Sequence, residues 1–426
     1  MLKQIEGSQG IAEAVALCRP QVVCAYPITP QTHIVEGVGA MVRAGTLTNC
    51  EFINVESEFA ALSVAIGSSA VGARTYTATA SQGLLFMAEA VYNAAGLGLP
   101  IVMTLGNRAI GAPINIWNDH SDSMALKDSG WIQLFAETNQ EAADLHIIAF
   151  RLAEELSCPV MVCVDGFILT HAYERLDVPS QEQVDAFLPP FVPVQQLDVA
   201  NPYSIGAMVG PDAFMEVRYL GHQKQMDALE AIPRLSAEFA GVFGREAGGL
   251  VRPYRCEDAE TIVVALGSVN GTIKDVVDAA REAGAKLGSV TIGAFRPFPL
   301  AELCDLLYGA ARVVCVEKGL APGLGGVLAS NVRMALRGAP KPVYTVIAGL
   351  GGRPITRASL AEVFRRAAQD NLEDVTFLDL NWEVVHAQTR RAGATRESGP
   401  IAENLLKALN PGLVRRVAGE RRTIDG

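Results

Sequence analysis

Cys24-Ala25-Tyr26-Pro27-Ile28-Thr29-Pro30 is the stretch on which the reading of this chain turns. The apolar run from Gln21 to Tyr26 has the length and composition of a buried strand, and it ends in two prolines with one hydroxyl between them. Proline fixes φ and has no backbone N–H to donate, so a Pro-x-x-Pro turn holds Thr29 stiffly at a strand end. About one helix later Glu58 opens a very apolar stretch, Phe59 to Gly67, with no polar face wide enough for solvent. Each residue has an ordinary explanation. Thr29 before Pro30 reads as a helix N-cap with proline at the first helical position. Glu58 in a first helical turn complements the macrodipole, with Ser57 or Asn54 as the cap. The alternative is a built site, with Thr29 touching a substrate and Glu58 buried and paired.

The first half of the chain alternates short apolar runs with helical stretches, the pattern of a parallel sheet covered on both faces. The spacing predicts strands at 21–26, 74–80, 101–106, 131–136 and 158–164. Helices are predicted at 8–18, 30–44, 56–71, 83–97 and 139–156, the last opened by a capping box, Thr138-Asn139-Gln140-Glu141. Pro189-Pro190-Phe191-Val192-Pro193 marks an irregular connection, followed by a long helix from Gly221 to Phe239 with Pro233 inside it. A second α/β unit starts near Thr261, with strands at 262–266, 288–294, 312–317 and 343–347. Its helices are expected at 272–284, 299–307, 325–337 and 359–368. These bounds place one domain at 1–240, a second at 258–375, and an arginine-rich C-terminal tail at 376–426.

Composition narrows the class. Of 426 residues, 50% are hydrophobic and only 19% charged, so the chain can bury a large core and is not disordered. A mean hydropathy of +0.23 argues for wide subunit interfaces, which in obligate complexes resemble a core cut in half. No run approaches the roughly 18 apolar residues of a membrane span, and Met1 to Glu6 is no signal peptide, so a cytoplasmic protein is expected. A net charge of −11 with scattered basic residues makes nucleic acid a poor partner. The eight cysteines form no C-x-x-C pair, whereas iron–sulfur ligation shows short spacings and structural zinc paired ligands. The run Asn115 to Asp122 holds one histidine among irregularly spaced acids, a weak metal signal, and the other five histidines stand alone in sequence. No residue set reads as metal-ligating.

The predicted strand at 74–80 delivers Ser81-Gln82-Gly83 at its carboxyl end, that at 101–106 delivers Asn107-Arg108, and that at 21–26 delivers Tyr26 to Pro30. In open α/β sheets the ligand crevice lies outside the carboxyl ends of the strands, so three unrelated stretches put polar residues on one edge. Arg108 is either a solvated loop charge or a bidentate partner for a carboxylate.

These stretches, with Asn54-Val55-Glu56-Ser57-Glu58, Thr79-Ala80-Ser81-Gln82-Gly83 and Gly106-Asn107-Arg108-Ala109, resemble the α-subunit of the 2-oxoacid:acceptor oxidoreductases. These are thiamine-diphosphate enzymes that include pyruvate:ferredoxin oxidoreductase. The second unit, with Arg296-Pro297-Phe298-Pro299, resembles the transketolase C-terminal-like domain of the same family. The fold so implied is α/β: a thiamine-diphosphate-binding, pyrimidine-type doubly wound parallel sheet plus a second, smaller α/β domain.

The resemblance implies that Glu58 is the catalytic glutamate, hydrogen-bonded to the pyrimidine N1′ of thiamine diphosphate, with Glu56 as the competing candidate. It further implies that Thr29 and Arg108 bind the 2-oxoacid, Arg108 through its carboxylate, and that Pro27, Ser81, Gln82 and Arg108 line the cofactor. The Gly-Asp-Gly motif by which such enzymes hold the diphosphate and Mg²⁺ does not occur here. A β-subunit is therefore expected to carry that half of the site, and γ and δ (ferredoxin-like) subunits to carry the iron–sulfur clusters. The implied reaction is oxidative decarboxylation of a 2-oxoacid with CoA to acyl-CoA and CO₂. Pyruvate, a branched-chain 2-oxoacid and phenylglyoxylate all stand as substrates. The rivals are an α-ketoacid dehydrogenase or transketolase-type subunit without an iron–sulfur chain, and a non-catalytic scaffold subunit.

Overall fold

The computed structural model describes residues 1–394 and Leu409. In chain order it begins β1 (Leu2–Glu6), α1 (Gly7–Leu17), β2 (Val22–Ala25), α2 (Thr32–Arg43), β3 (Glu51–Asn54), α3 (Glu58–Ala70) and β4 (Thr75–Thr79). There follow α4 (Ser81–Phe86), α5 (Ala88–Gly96), β5 (Ile101–Asn107), α6 (Ser121–Ala125), β6 (Ile132–Phe135), α7 (Asn139–Leu156), β7 (Val160–Asp165), β8 (Tyr173–Asp177) and α8 (Gln181–Phe187). After the long α9 (Phe214–Phe243) come β9 (Val251–Tyr254), β10 (Thr261–Leu266), α10 (Val269–Glu282), β11 (Leu287–Ile292), β12 (Ala294–Arg296), α11 (Leu300–Leu307) and β13 (Arg312–Glu317). The described chain closes with α12 (Val327–Ala335), β14 (Val343–Ile347), α13 (Arg357–Ala368), β15 (Val375–Phe377) and α14 (Trp382–Ala394).

Seven strands form the first sheet in the order β12-β6-β7-β5-β4-β2-β3. All are parallel except β12, which runs antiparallel to β6. The central strands β4, β5 and β7 are buried along their whole length, as parallel strands covered on both faces must be. A second sheet has the order β15-β14-β13-β10-β11-β9, and β1 pairs with β8 in a small antiparallel ribbon. One core packs α1, α2, α7 and α9 on one face of the first sheet through Ile11, Val35, Phe150 and Phe239. The other face is continuous with the second unit: Met103, Leu105, Phe135 and Met161 share a cluster with Ile262, Val264, Val290, Phe295 and Leu328. Buried Arg74, at the entry to β4, pairs with Glu154 of α7 and donates to the Cys18 and Pro189 carbonyls, which fixes the irregular connection.

Three expectations are corrected. The strand expected at 288–294 is two: β11 ends at Ile292, and after Gly293 the chain crosses to the first sheet as β12. A methyl at Gly293 would stand 2.4 Å from the Gly249 carbonyl oxygen, so only glycine permits the crossing. The helix expected at 83–97 breaks at Met87 into α4 and α5. The long helix runs from Phe214, not Gly221, and continues through Pro233. The chain from Phe377 onward clusters apart from Met1–Thr376, and most of the expected tail at 376–426 lies outside the described residues. No described helix is long and apolar enough to cross a membrane.

Candidate active site

The Pro-x-x-Pro turn leaves the carboxyl end of β2, and its Thr29–Pro30 peptide bond is cis. Helix α2 starts only at Thr32, with Gln31 at the N-cap and no side-chain cap. Thr29 therefore does not cap it, and the ordinary explanation of that residue fails. Pro30 is buried against β5 and the residue after β7: a methyl at Gly106 would stand 3.3 Å from Pro30 Cγ, and one at Gly166 2.6 Å. Glycine at both places admits the ring. Buried Gln31 donates from Nε2 to the carbonyls of Tyr26 (2.9 Å) and Ala78 (3.3 Å), tying the turn to β4. Pro27 and Thr29 stay exposed at the edge.

Arg108, just past β5, is buried yet reaches back to this turn. Its Nη1 donates to the Thr29 carbonyl (2.9 Å) and its Nε to the Asn115 carbonyl (3.1 Å). A guanidinium has five N–H groups, so three remain for a ligand while the two anchored ones set its plane. Burial lowers its pKa, partly offset by the Asp122 carboxylate. Asp122, fully buried in α6, organises the strand ends. It accepts from the backbone N–H of Ser81 (2.9 Å), Arg108 (3.0 Å) and Ser123 (2.8 Å), and from Asn107 Nδ2 (2.8 Å). Ser81 needs that support. Its φ of +50° is a left-handed conformation that costs a non-glycine residue of order 1 kcal/mol or more. The Ser81 hydroxyl donates to the Ala109 carbonyl (2.5 Å) and touches Gln82 Oε1, and Gln82 Nε2 lies beside Gly111.

Asp122 was not among the residues singled out from sequence; the only signal is its place in the run already weighed and set aside for metal. Burial pushes its carboxyl up to about 6, against four donors that pull it down. A raised pKa means that between roughly pH 4 and 6 the folded chain holds this proton more tightly than the unfolded chain. Its contribution to stability therefore falls as pH rises through that window. The stability advantage of wild type over Asp122→Asn is expected to shrink by on the order of 2 kcal/mol from pH 4 to 6, followed by thermal melting. A gap that widens contradicts this.

Glu58 opens α3 and is buried, whereas Glu56 is exposed. Ser57 caps the helix, its Oγ accepting from Ala60 N (3.2 Å), as one of the two expected caps, with Glu58 in the first turn. Among the described residues no hydrogen bond or ion pair reaches the Glu58 carboxylate. A methyl at Gly83 would stand 2.7 Å from Glu58 Oε1 and 2.6 Å from Thr79 Oγ1, and that hydroxyl is buried without a partner. A buried carboxylate and a buried hydroxyl thus face the bare glycine at the head of α4, with Ser81 and Gln82 beside it. Unsatisfied polar groups of this kind fit an aminopyrimidine, which offers both donors and acceptors.

Behind the edge, Asp165 at the end of β7 joins the two α/β units. It accepts from Lys318 Nζ beyond β13, from Ser268 N (2.9 Å) before α10, and from Asn118 Nδ2 (3.2 Å), and pairs with His120 Nε2 (2.7 Å). Burial would raise its pKa, but Lys318 and His120 prevail and hold it well below the usual carboxylate range. Not all the other histidines stand alone in the fold. His146 is structural, bonded to Thr104 and the Ala142 carbonyl, but His33 and His171 lie together with Glu6. A cleft of about 840 Å³ opens elsewhere, between α10 and α13 at the amino ends of β10, β11 and β13, and none of the residues above line it.

Comparison with known proteins identifies the family. The family model for the pyruvate flavodoxin/ferredoxin oxidoreductase thiamine-diphosphate-binding domain matches residues 13–236. That for pyruvate:ferredoxin oxidoreductase core domain II matches 259–360. The chain belongs to this family, as the α-subunit of a hetero-oligomeric 2-oxoacid oxidoreductase. It is 45% identical over 390 residues to pyruvate synthase subunit PorA of Methanosarcina barkeri, covering 89% of this chain and 97% of that one. It is 45% identical over 377 residues to PorA of Thermotoga maritima, covering 86% and 95%. Ketoisovalerate oxidoreductase subunit VorA of Pyrococcus abyssi is 39% identical over 357 residues, covering 83% and 90%. Among solved structures, the 2-oxoglutarate:ferredoxin oxidoreductase from Magnetococcus marinus, with 2-oxoglutarate, coenzyme A and succinyl-CoA bound, shares the fold with a TM-score of 0.65. At 17% identity the match spans 87% of this chain and 65% of that one, less than two thirds of its length.

Proposed function

We propose that the chain supplies the pyrimidine half of the thiamine-diphosphate site in a cytoplasmic, CoA-acylating 2-oxoacid:ferredoxin oxidoreductase, and that pyruvate is its substrate. One observation carries this reading: the buried, unpartnered Glu58 carboxylate facing Gly83 on the edge where Arg108 and Thr29 meet. When bound, thiamine diphosphate supplies the nucleophile and electron sink that let a 2-oxoacid lose CO₂. Glu58 would hold and return a proton at the pyrimidine N1′, in a pocket dry enough to fix that bond. Arg108 would take the substrate carboxylate on its free N–H groups, with Thr29 at the keto end and Pro27, Ser81 and Gln82 as walls. A β-subunit would bring Mg²⁺ and the diphosphate site, and γ and δ subunits the iron–sulfur clusters. The two domains, at 1–240 and 258–375, would act as one body through the Asp165 joint. A scaffold that had lost its chemistry would have no reason to keep Glu58 buried and unpaired.

Similarity to PorA subunits favours pyruvate, but a VorA subunit is nearly as similar, so the substrate needs its own test. The purified native complex should show CoA-dependent reduction of ferredoxin with kcat/KM for pyruvate at least tenfold above that for 2-oxoisovalerate or phenylglyoxylate. The reverse order would reassign the substrate, and activity without CoA would reassign the reaction.

A further inference from the structure

Glu6, His33 and His171 come from three separate parts of the chain. Glu6 ends β1 and precedes α1, His33 lies in the first turn of α2 just beyond Pro30, and His171 lies in the turn after β7. One ligand atom from each lies within 4.8 Å of the others, and Glu6 Oε1 is 2.7 Å from His33 Nδ1. We propose that these three side chains form a divalent-cation site of the zinc type, which pins the β1–α1 junction and the loop after β7 to the turn that carries Thr29.

Two imidazoles and one carboxylate are the borderline nitrogen and oxygen set that zinc-type ions prefer, and the summed charge of −1 suits a divalent ion. His171 Nδ1 is hydrogen-bonded to Thr170 Oγ1 (2.7 Å), a hydroxyl that accepts from Phe167 N (2.8 Å), so Nε2 is the ring nitrogen left for an ion, and with an ion there Nδ1–H would donate to that hydroxyl. The His171 ring packs against Phe167, centroids 4.6 Å apart, and against His33 at 4.9 Å, so its orientation is set before any ion arrives. Zinc bonds of about 2.0–2.1 Å put tetrahedral ligands roughly 3.4 Å apart, so ligand atoms within 4.8 Å of one another need to close by at most about 1.4 Å, and Glu6 and His33, 2.7 Å apart, need to open slightly. His33 can make that move, being 49% exposed, and its exposure gives the ion an entry path. Three protein ligands leave the fourth position open to water.

The ordinary alternative is a His33–Glu6 hydrogen bond with His171 as a bystander, and metal counting separates the two. The native complex is incubated with a small excess of ZnSO₄, desalted, and its zinc determined by mass spectrometry beside identically treated complexes carrying His33→Gln or His171→Gln. The proposal expects about one more zinc per α-subunit in wild type than in either variant. It also expects a rise of a few degrees in melting temperature on adding zinc that both variants lose. With Co²⁺ in place of zinc, wild type alone should show the visible absorption of a tetrahedral nitrogen–oxygen site. His33 is exposed enough that its replacement leaves the fold intact, so the test survives even if His171→Gln does not assemble. Equal zinc in wild type and His33→Gln, with no cobalt spectrum, overturns the site.

Discussion

Glu58→Gln is expected to lower turnover of the assembled complex by roughly 10²–10⁴-fold while leaving assembly and substrate KM near wild type. The amide keeps the size of the carboxylate in the pocket beside Gly83. It does not disturb the helix start, because Ser57 already supplies the cap. What it loses is the capacity to hold and return a proton. Glu56, two residues earlier, points to solvent, and Glu56→Gln should be close to wild type. Steady-state kinetics on both variants decides between them, and an inactive Glu56→Gln with a normal Glu58→Gln would move the role.

Arg108→Ala should cost roughly 2–4 kcal/mol in kcat/KM, about 30- to 700-fold, because a desolvated substrate carboxylate loses its partner. Part of that loss is local to the protein. The same guanidinium ties the Thr29 and Asn115 carbonyls together, so its removal loosens the turn as well. Arg108→Lys retains the charge but not the fork, and should raise KM for every 2-oxoacid tested. The carboxylate is common to all substrates, so the ratio of kcat/KM for pyruvate and 2-oxoisovalerate should hardly move. If Arg108→Ala shifts that ratio strongly while leaving the KM for pyruvate unchanged, Arg108 selects substrate shape instead.

Much of the edge was legible in the sequence because parallel strands buried on both faces are apolar runs, and each ends where its polar residues begin. Val22 to Ala25 and most of Ile101 to Asn107 are of this kind, while Thr75 to Thr79 shows the β-branched and aromatic residues that suit a strand, and together they place Thr29, Ser81 and Arg108 on one edge. Strands whose pairing is tertiary left no such trace. β3 is a short edge strand, Glu51-Phe52-Ile53-Asn54, with nothing buried, and β12 hides in a continuous apolar stretch whose break at Gly293 depends on a contact with Gly249. The break at Met87 falls where neither glycine nor proline stands, so no local signal marks it. Asp122 was missed for a related reason. One aspartate in a polar loop looks like a solvated charge until the fold brings Ser81 and Arg108 N–H groups to it from two different strand ends. His33 and His171 are far apart in sequence, and no spacing rule could join them.

The proposed function requires that this subunit hold only the pyrimidine half of a shared site. Calorimetric titration with thiamine diphosphate and Mg²⁺ of the purified single chain, beside the same titration of the cofactor-depleted complex, tests it most directly. Because the chain lacks the Gly-Asp-Gly motif that would hold the diphosphate, the single chain should show weak binding or none and the complex should saturate at one cofactor per α-subunit. Tight stoichiometric binding by the single chain would contradict the split site.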